Sequence, residues 1–236
     1  MTLMKPPPME AIVHFEVHRF GAFLSTRSTA AKVREELEQA VRAVRDAQRV
    51  DVDFSGVEAI TISFADEFIG RFMTARAAGD VGDVAVVVTG LNGEVEEALS
   101  ICLERRDAIA TARAKDGFWL LGGDQIQETT FESLVQRGVS TASDLATELS
   151  ITPQNANNRL KRLTAFGVVR RQKEAPQTGG REFVYVAPSE LEPAPASRPG
   201  PRVKAGAQSS TRSTGKVLAS DSASAQKRKT GRSSGP

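Results

Sequence analysis

The sequence predicts an α/β layer fold with its sheet covered by helices, followed by a smaller α+β module and a disordered basic tail. Three observations lead there. Strand-like and helix-like apolar periods alternate over residues 11–106. From residue 124 the pattern changes to three helical stretches followed by two strand-like ones. All 13 aromatic residues lie before residue 186, so the last fifth of the chain takes no part in ordinary core formation.

The elements follow in order. Over residues 11–18, Ala11, Val13, Phe15 and Val17 share one face, and Ile12, His14, Glu16 and His18 the other. That is the period of a half-buried strand. Gly21 breaks it. Over 27–47, Ala30, Val33, Leu37, Val41 and Val44 recur every three or four residues and predict a helix. In the next strand Val50, Val52 and Phe54 alternate against Asp51 and Asp53. A loop from Ser55 to Ser63 leads into a helix with Phe64, Phe68, Ile69 and Phe72 on one face, ended by Gly79 and Gly82. Val84 to Thr89 is short, β-branched and continuously apolar, as a buried parallel strand is. Glu94 to Arg106 is a third helix. Residues 107–123, with Phe118-Trp119-Leu120-Leu121, read as a last strand or a linker, with a domain boundary near Gly122 and Gly123.

In the second module, 124–188, Ile126, Phe131, Leu134 and Val135 mark a helix over Gln125 to Arg137. Thr141-Ala-Ser-Asp144 has the form of a capping box with a carboxylate at N3, opening a short helix with Leu145, Ala146 and Leu149 inward. Thr152 is a natural N-cap, and Pro153 follows at the first helical position, where a missing N–H costs nothing. That helix carries Ala156, Leu160 and Leu163 inward and stops at Gly167. Val168 to Gln172 and Arg181 to Val186 read as two strands around a loop rich in Pro and Gly. Helix, helix, turn, helix and β-hairpin together predict a winged helix. Residues 189–236 hold ten Ser, seven Ala, five Pro and five Gly with four large apolar residues, too few to offset the entropy of ordering them, and predict disorder.

Composition excludes several classes. One cysteine, Cys102, rules out an internal disulfide framework and a Cys-based zinc site, and suits a reducing cytoplasm. The first ten residues have a Pro6-Pro7-Pro8 run and no apolar core of a signal peptide, and no apolar run is long enough to span a bilayer. Net charge is −5 over 1–122, +1 over 123–188 and +6 over 189–236, an asymmetry that points to nucleic acid at the C-terminal side.

The helix from Thr152 to Phe166 carries the strongest functional signal. Asn is a poor helix-interior residue, yet Asn155, Asn157 and Asn158 crowd into four positions. Asn and Gln can pair bidentately with adenine in the major groove, and Arg with guanine. Gln154, Asn155, Asn158 and Arg162 are therefore the base-reading candidates. Arg159, Lys161, Arg170, Arg171, Lys173 and Arg181 are the phosphate and wing candidates, on a stretch, 152–182, of net charge +5. The plainer alternative is a solvated helix face on a protein-binding module. Thr141 to Arg171 resembles winged-helix transcription regulators of the multiple-antibiotic-resistance and arsenic-repressor type.

The run Val52-Asp-Phe-Ser-Gly-Val-Glu-Ala-Ile-Thr-Ile-Ser-Phe-Ala-Asp-Glu67, with Phe20-Gly-Ala-Phe-Leu-Ser-Thr-Arg-Ser28 before it, resembles the STAS-like domains, over about residues 11–106. These are relatives of the sulphate-transporter and anti-sigma-factor-antagonist fold. The resemblance implies a second strand ending in Asp53-Phe54-Ser55, and a phosphorylated serine at the position of Ser63, modified by a histidine-kinase-like ATPase that doubles as anti-sigma factor. Where the family has Asp-Ser-Ser-Gly, this chain has Thr61-Ile62-Ser63-Phe64, without the acidic residue or the glycine. Ser63-x-x-Asp66 also has the form of a capping box, so the plainer reading of Ser63 is a helix cap.

Lesser signals are bland. His14 and His18 lie about 13–14 Å apart along a strand at ~3.3 Å per residue, too far to share a metal. Cys102 reads as a small core residue. Gly90-Leu-Asn-Gly93 lacks the Gly-Lys-Ser/Thr of a phosphate loop and reads as a turn. No catalytic pair, metal cluster or cofactor is expected. The expectation is a cytoplasmic, DNA-binding transcription regulator whose STAS-like domain is an input or partner-docking module. The partners expected are double-stranded DNA, a histidine-kinase-like ATPase or anti-sigma-type protein, and a second copy of the chain, with no membrane. The competing expectation is a signalling adaptor that uses both domains for protein binding.

Overall fold

A computed structural model describes residues 11–44, 47–173 and 183–188; of Lys173 it describes the backbone alone. The first strand, β1 (Ile12–Glu16), buries Val13 and Phe15 and exposes His14 and Glu16, as its alternation predicts. It ends two residues early. A 3₁₀ turn over His18–Phe20 takes His18 off the strand, so the two histidines do not share a strand face. β2 (Phe23–Leu24) follows, and then α1 (Arg27–Ala43), whose N-cap Thr26 accepts a hydrogen bond from the Thr29 N–H at 3.2 Å. Its buried stripe is Ala30, Val33, Leu37 and Val41; Val44, predicted within the helix, is already extended.

β3 (Arg49–Asp53) lies between β1 and β5 (Ala85–Thr89), parallel to both. The loop between them holds β4 (Ala59–Ile60), paired with β2, then α2 (Ile62–Ala65), one π-helical turn over Asp66–Gly70, and α3 (Arg71–Ala78). After β5 come α4 (Gly93–Arg105), β6 (Ala110–Ala114) and β7 (Gly117–Leu121). The five-stranded order is β1-β3-β5-β6-β7, with only the last pair antiparallel. Residues 107–123 are therefore largely two strands that complete the sheet.

All four helices cover one face. Val50, Val52, Val86, Val88, Ala110 and Ala112 pack there with Leu37, Phe68 and Leu103. Phe68 sits in contact with three rings, Phe15, Phe54 and Phe64, with centroids 5.9–6.3 Å away. Burying one such side chain stabilises the fold by about 1.5–3 kcal/mol.

The second face is buried too, and not by a predicted element of the first module. Ile109 and Leu120 pack against Phe131, Leu134, Leu145 and Leu160, while Ala85 meets Val186. This is why the β5 segment reads as apolar without alternation. It also corrects the expectation for β3, whose Asp51 is predicted on a polar strand face. Asp51 is 3 % exposed, and Arg49, 2 % exposed, grips its carboxylate through two hydrogen bonds of 2.6 and 2.8 Å.

The covering elements are α5 (Gln125–Arg137), β8 (Val139–Thr141), α6 (Ala142–Glu148), α7 (Pro153–Ala165), β9 (Arg170–Lys173) and β10 (Phe183–Val186). Asp124 and Gln127 form a reciprocal capping box on α5, as Thr141 and Asp144 do on α6. The three strands form an antiparallel sheet in the order β8-β10-β9. β8, only three residues long, is the one of these three strands that periodicity misses. Gly167 ends α7 with a φ of +70°, and a Cβ there would strike the Val84 carbonyl. Its own carbonyl accepts from the Val86 N–H at 3.1 Å, joining the two sheets' surroundings directly. The basic tail lies outside the described residues.

Candidate functional site

The N-terminal half of α7 is the most exposed polar helix face the sequence singles out. Thr152 caps it, accepting from the Asn155 N–H at 3.2 Å. Gln154, Asn155 and Asn158 are all exposed. They are not idle: Gln154 donates to the Asn158 side-chain oxygen at 3.2 Å, and Arg159 Nε donates to that of Asn155 at 3.0 Å. Each amide thereby keeps its remaining donors for a partner. At 100° per residue Gln154, Asn158 and Lys161 form one stripe, opposite the buried Ala156, Leu160 and Leu163. Asn157 belongs elsewhere; it accepts from the Tyr185 hydroxyl at 3.0 Å.

The arginines divide. Arg162 is engaged by the α/β layer, donating to both carboxylate oxygens of Asp107 at 2.5 and 3.1 Å and to its carbonyl at 2.9 Å. Arg159 donates to the Thr130 hydroxyl at 3.3 Å, and Arg170 to the Gln48 side chain at 2.8 Å. Arg171 is exposed, its guanidinium stacked 4.5 Å from the Phe183 ring centre, and Lys161 is exposed as well. The Lys173 side chain and Arg181 lie outside the described residues.

The serine loop corrects one expectation. Thr61, not Ser63, caps the helix, accepting from the Phe64 N–H at 3.2 Å while its hydroxyl donates to the Ser25 carbonyl at 2.9 Å. The cap forms two residues earlier because Thr61 is the last extended residue after β4, at ψ 153°. Ser63 is the second residue of α2 and exposed.

One turn further, the π-helical segment presents two carboxylates to a ring of arginines that sequence reading misses. Asp66 meets Arg106 at 2.6 Å and Arg27 at 3.1 Å; Glu67 meets Arg71 at 3.0 Å, Arg27 at 3.7 Å and Arg34 at 3.8 Å. The Arg106 hydrogen bond, with help from Arg27, holds the Asp66 carboxyl below the ordinary carboxylate range. Gly70 permits this packing, since a Cβ there would collide with the Arg106 side chain and the Cys102 sulfur. Only the Glu67–Arg71 spacing of four was readable in advance; the other pairs join separate elements.

At the end of β3, Asp53 accepts from the Ser55 N–H at 2.9 Å and the Thr89 hydroxyl at 3.3 Å. Burial alone would raise its carboxyl, but these bonds outweigh it and hold the group low. This is a loop-closing turn rather than an acid–base pair. Cys102 is buried, which pushes its thiol up to about 11. His14 is exposed, 3.8 Å from Asp51. Among the described residues no group of three or more His, Cys, Asp or Glu could hold a metal, and no helix is long and apolar enough to cross a membrane.

No curated protein and no solved structure matches the chain significantly. Residues 29–95, from α1 into the start of α4, match the family model of a STAS-like domain of unknown function (DUF4325), and the parallel-rich sheet flanked by helices is consistent with that match.

Proposed function

We propose that the chain is a DNA-binding transcription regulator, in which residues 124–188 act as a winged helix-turn-helix and the STAS-like layer is an input or partner-docking module. The observation that carries this reading is the exposed stripe of Gln154, Asn158 and Lys161 on α7, with Asn155 beside it. Three helices, a three-stranded antiparallel sheet and amide side chains on the helix after the turn support a major-groove reader. The chain then acts in the cytoplasm, on double-stranded DNA, without a catalytic role.

The test selects a site from genomic DNA and compares it with a scrambled duplex at two salt concentrations. Asn155→Ala with Asn158→Ala should lower affinity for the selected site by roughly 1–3 kcal/mol per base contact and flatten the preference. Lys173→Ala with Arg181→Ala should weaken both duplexes alike and reduce the salt slope. An unchanged preference in the Asn pair rejects α7 as the reader.

Ser63 fits a docking or phosphorylation role on the STAS-like side. It is exposed and does not cap α2. Asp66 and Glu67 would oppose a phosphate one turn away, but four arginines already engage those carboxylates. The second reading, a signalling adaptor bound by a histidine-kinase-like ATPase or anti-sigma-type protein, is favoured by one observation. Arg162, the single guanine-reading candidate, is taken up by Asp107.

A further inference from the structure

A recess of about 320 Å³ opens where α7, β9 and β10 meet the α/β layer, and α3 reaches into it. Its charged walls are Arg76, Lys161, Arg171 and Asp83, with the Thr164 and Tyr185 side chains between them. Arg76 is 5 % exposed, a cation fixed in place on every side. It donates to the Val84 carbonyl at 2.8 Å, the Ala165 carbonyl at 3.2 Å and Asp83 at 2.7 Å. Burial lowers its pKa, Asp83 opposes that, and the nearby Arg170 pushes it further down. Positive charge is thus crowded here against one carboxylate, and Asp83 is itself 63 % exposed. Lys161 and Arg171 add two exposed cations from two further elements.

We propose that this recess binds a small phosphate-bearing anion, held by Lys161 and Arg171 in the field of the buried Arg76. The volume lies at the lower end of ligand pockets, which suits a phosphorylated small molecule. Tyr185 is 2 % exposed, so it offers no open aromatic face on which a nucleobase could stack. The charge of Arg76 acts through space, since its nitrogens already have partners; Lys161 and Arg171 supply the direct donors. The occupant ties α7 and β9 to α3, and so braces the sheet against the elements that cover its second face. Such binding requires no DNA.

The test measures the melting temperature and phosphate binding of the full chain in inorganic phosphate and in chloride at equal ionic strength. Phosphate should give a saturable rise that chloride does not. Lys161→Ala and Arg171→Ala should each weaken phosphate binding by roughly tenfold, and Lys115→Ala, an exposed cation elsewhere, should not. Asp83→Asn, which removes the competing carboxylate, should tighten it. Equal effects of phosphate and chloride, or phosphate binding unchanged in Lys161→Ala and Arg171→Ala, overturn the proposal. So does a third outcome, in which phosphate fails to bind while a random-sequence duplex does and Lys161→Ala abolishes that; the recess would then serve a nucleic-acid backbone.

Discussion

Arg162 of α7 holds Asp107, at the end of α4, through two carboxylate hydrogen bonds of 2.5 and 3.1 Å and one carbonyl bond of 2.9 Å. Asp107 adopts a φ of +51°, a left-handed conformation that disfavours a side chain. Its carboxyl is held low by Arg162 itself. Arg162 thereby ties α7 to the α/β layer, and the guanidinium that the proposed function would put to a base is held by Asp107.

Asp107→Gly should separate those uses. Glycine suits the left-handed backbone, so the fold should lose little. Two of the three bonds to Arg162 disappear, and its guanidinium becomes available. If Arg162 reads guanine, fluorescence anisotropy should show tighter binding to the selected duplex and little change for the scrambled one. Equal affinity of the variant and the wild type would show that Arg162 serves only the seam.

The cap assignment gives a second contrast. Thr61→Ala removes both the bond from the Phe64 N–H and that to the Ser25 carbonyl, and should cost about 1 kcal/mol or somewhat more. Ser63→Ala, at an exposed second helical position, should change stability by less than about 0.5 kcal/mol. Denaturant melts of the two variants settle it; the reverse order would return the cap to Ser63.

Cys102 offers a probe of the packing between α4 and the π-helical turn at Gly70. It is fully buried with its thiol at about 11, so almost no thiolate forms at neutral pH. Maleimide labelling of native protein should be slow and should track opening of the Gly70 contact, accelerating in denaturant. Rapid labelling in native buffer would contradict the burial.

Local signals in the sequence located most of the elements because most element ends are local chemistry. The Thr141–Asp144 box, Thr152 with Pro153, and Gly167 all act within one turn of themselves. The stripe Ala30–Val41 repeats at helical spacing because a single face of α1 is buried. What escaped reading is what depends on a distant partner. Asp51 reads as solvent-facing because nothing in its neighbourhood announces that α5 and β10 cover that side of the sheet. Arg162 reads as free because Asp107 lies 55 residues away. Ser63 reads as a cap because its spacing to Asp66 is right, yet β4 delivers Thr61 to that position first.

Acid should weaken the arginine ring in a defined direction. The Asp66 carboxyl lies below its ordinary value in the folded protein, first through the hydrogen bond from Arg106 and then through Arg27. In the unfolded chain it titrates near its usual value of about 3.9. A group whose folded pKa is depressed favours the folded state above the unfolded pKa. That contribution is complete at neutral pH, begins to fade below about pH 5, and is gone once pH falls through the folded value. Asp53 and Asp144 are depressed as well, so the whole protein should lose stability in acid, and wild type alone does not isolate the pair. Arg106→Met keeps the aliphatic stem against Gly70 and removes the charge. The stability gap between wild type and Arg106→Met, from denaturant melts, should be widest at pH 7 and should narrow steadily as the buffer is taken towards pH 3. A gap that stays constant across that range would mean that Arg106 supports the fold by packing and that its bond to Asp66 contributes little.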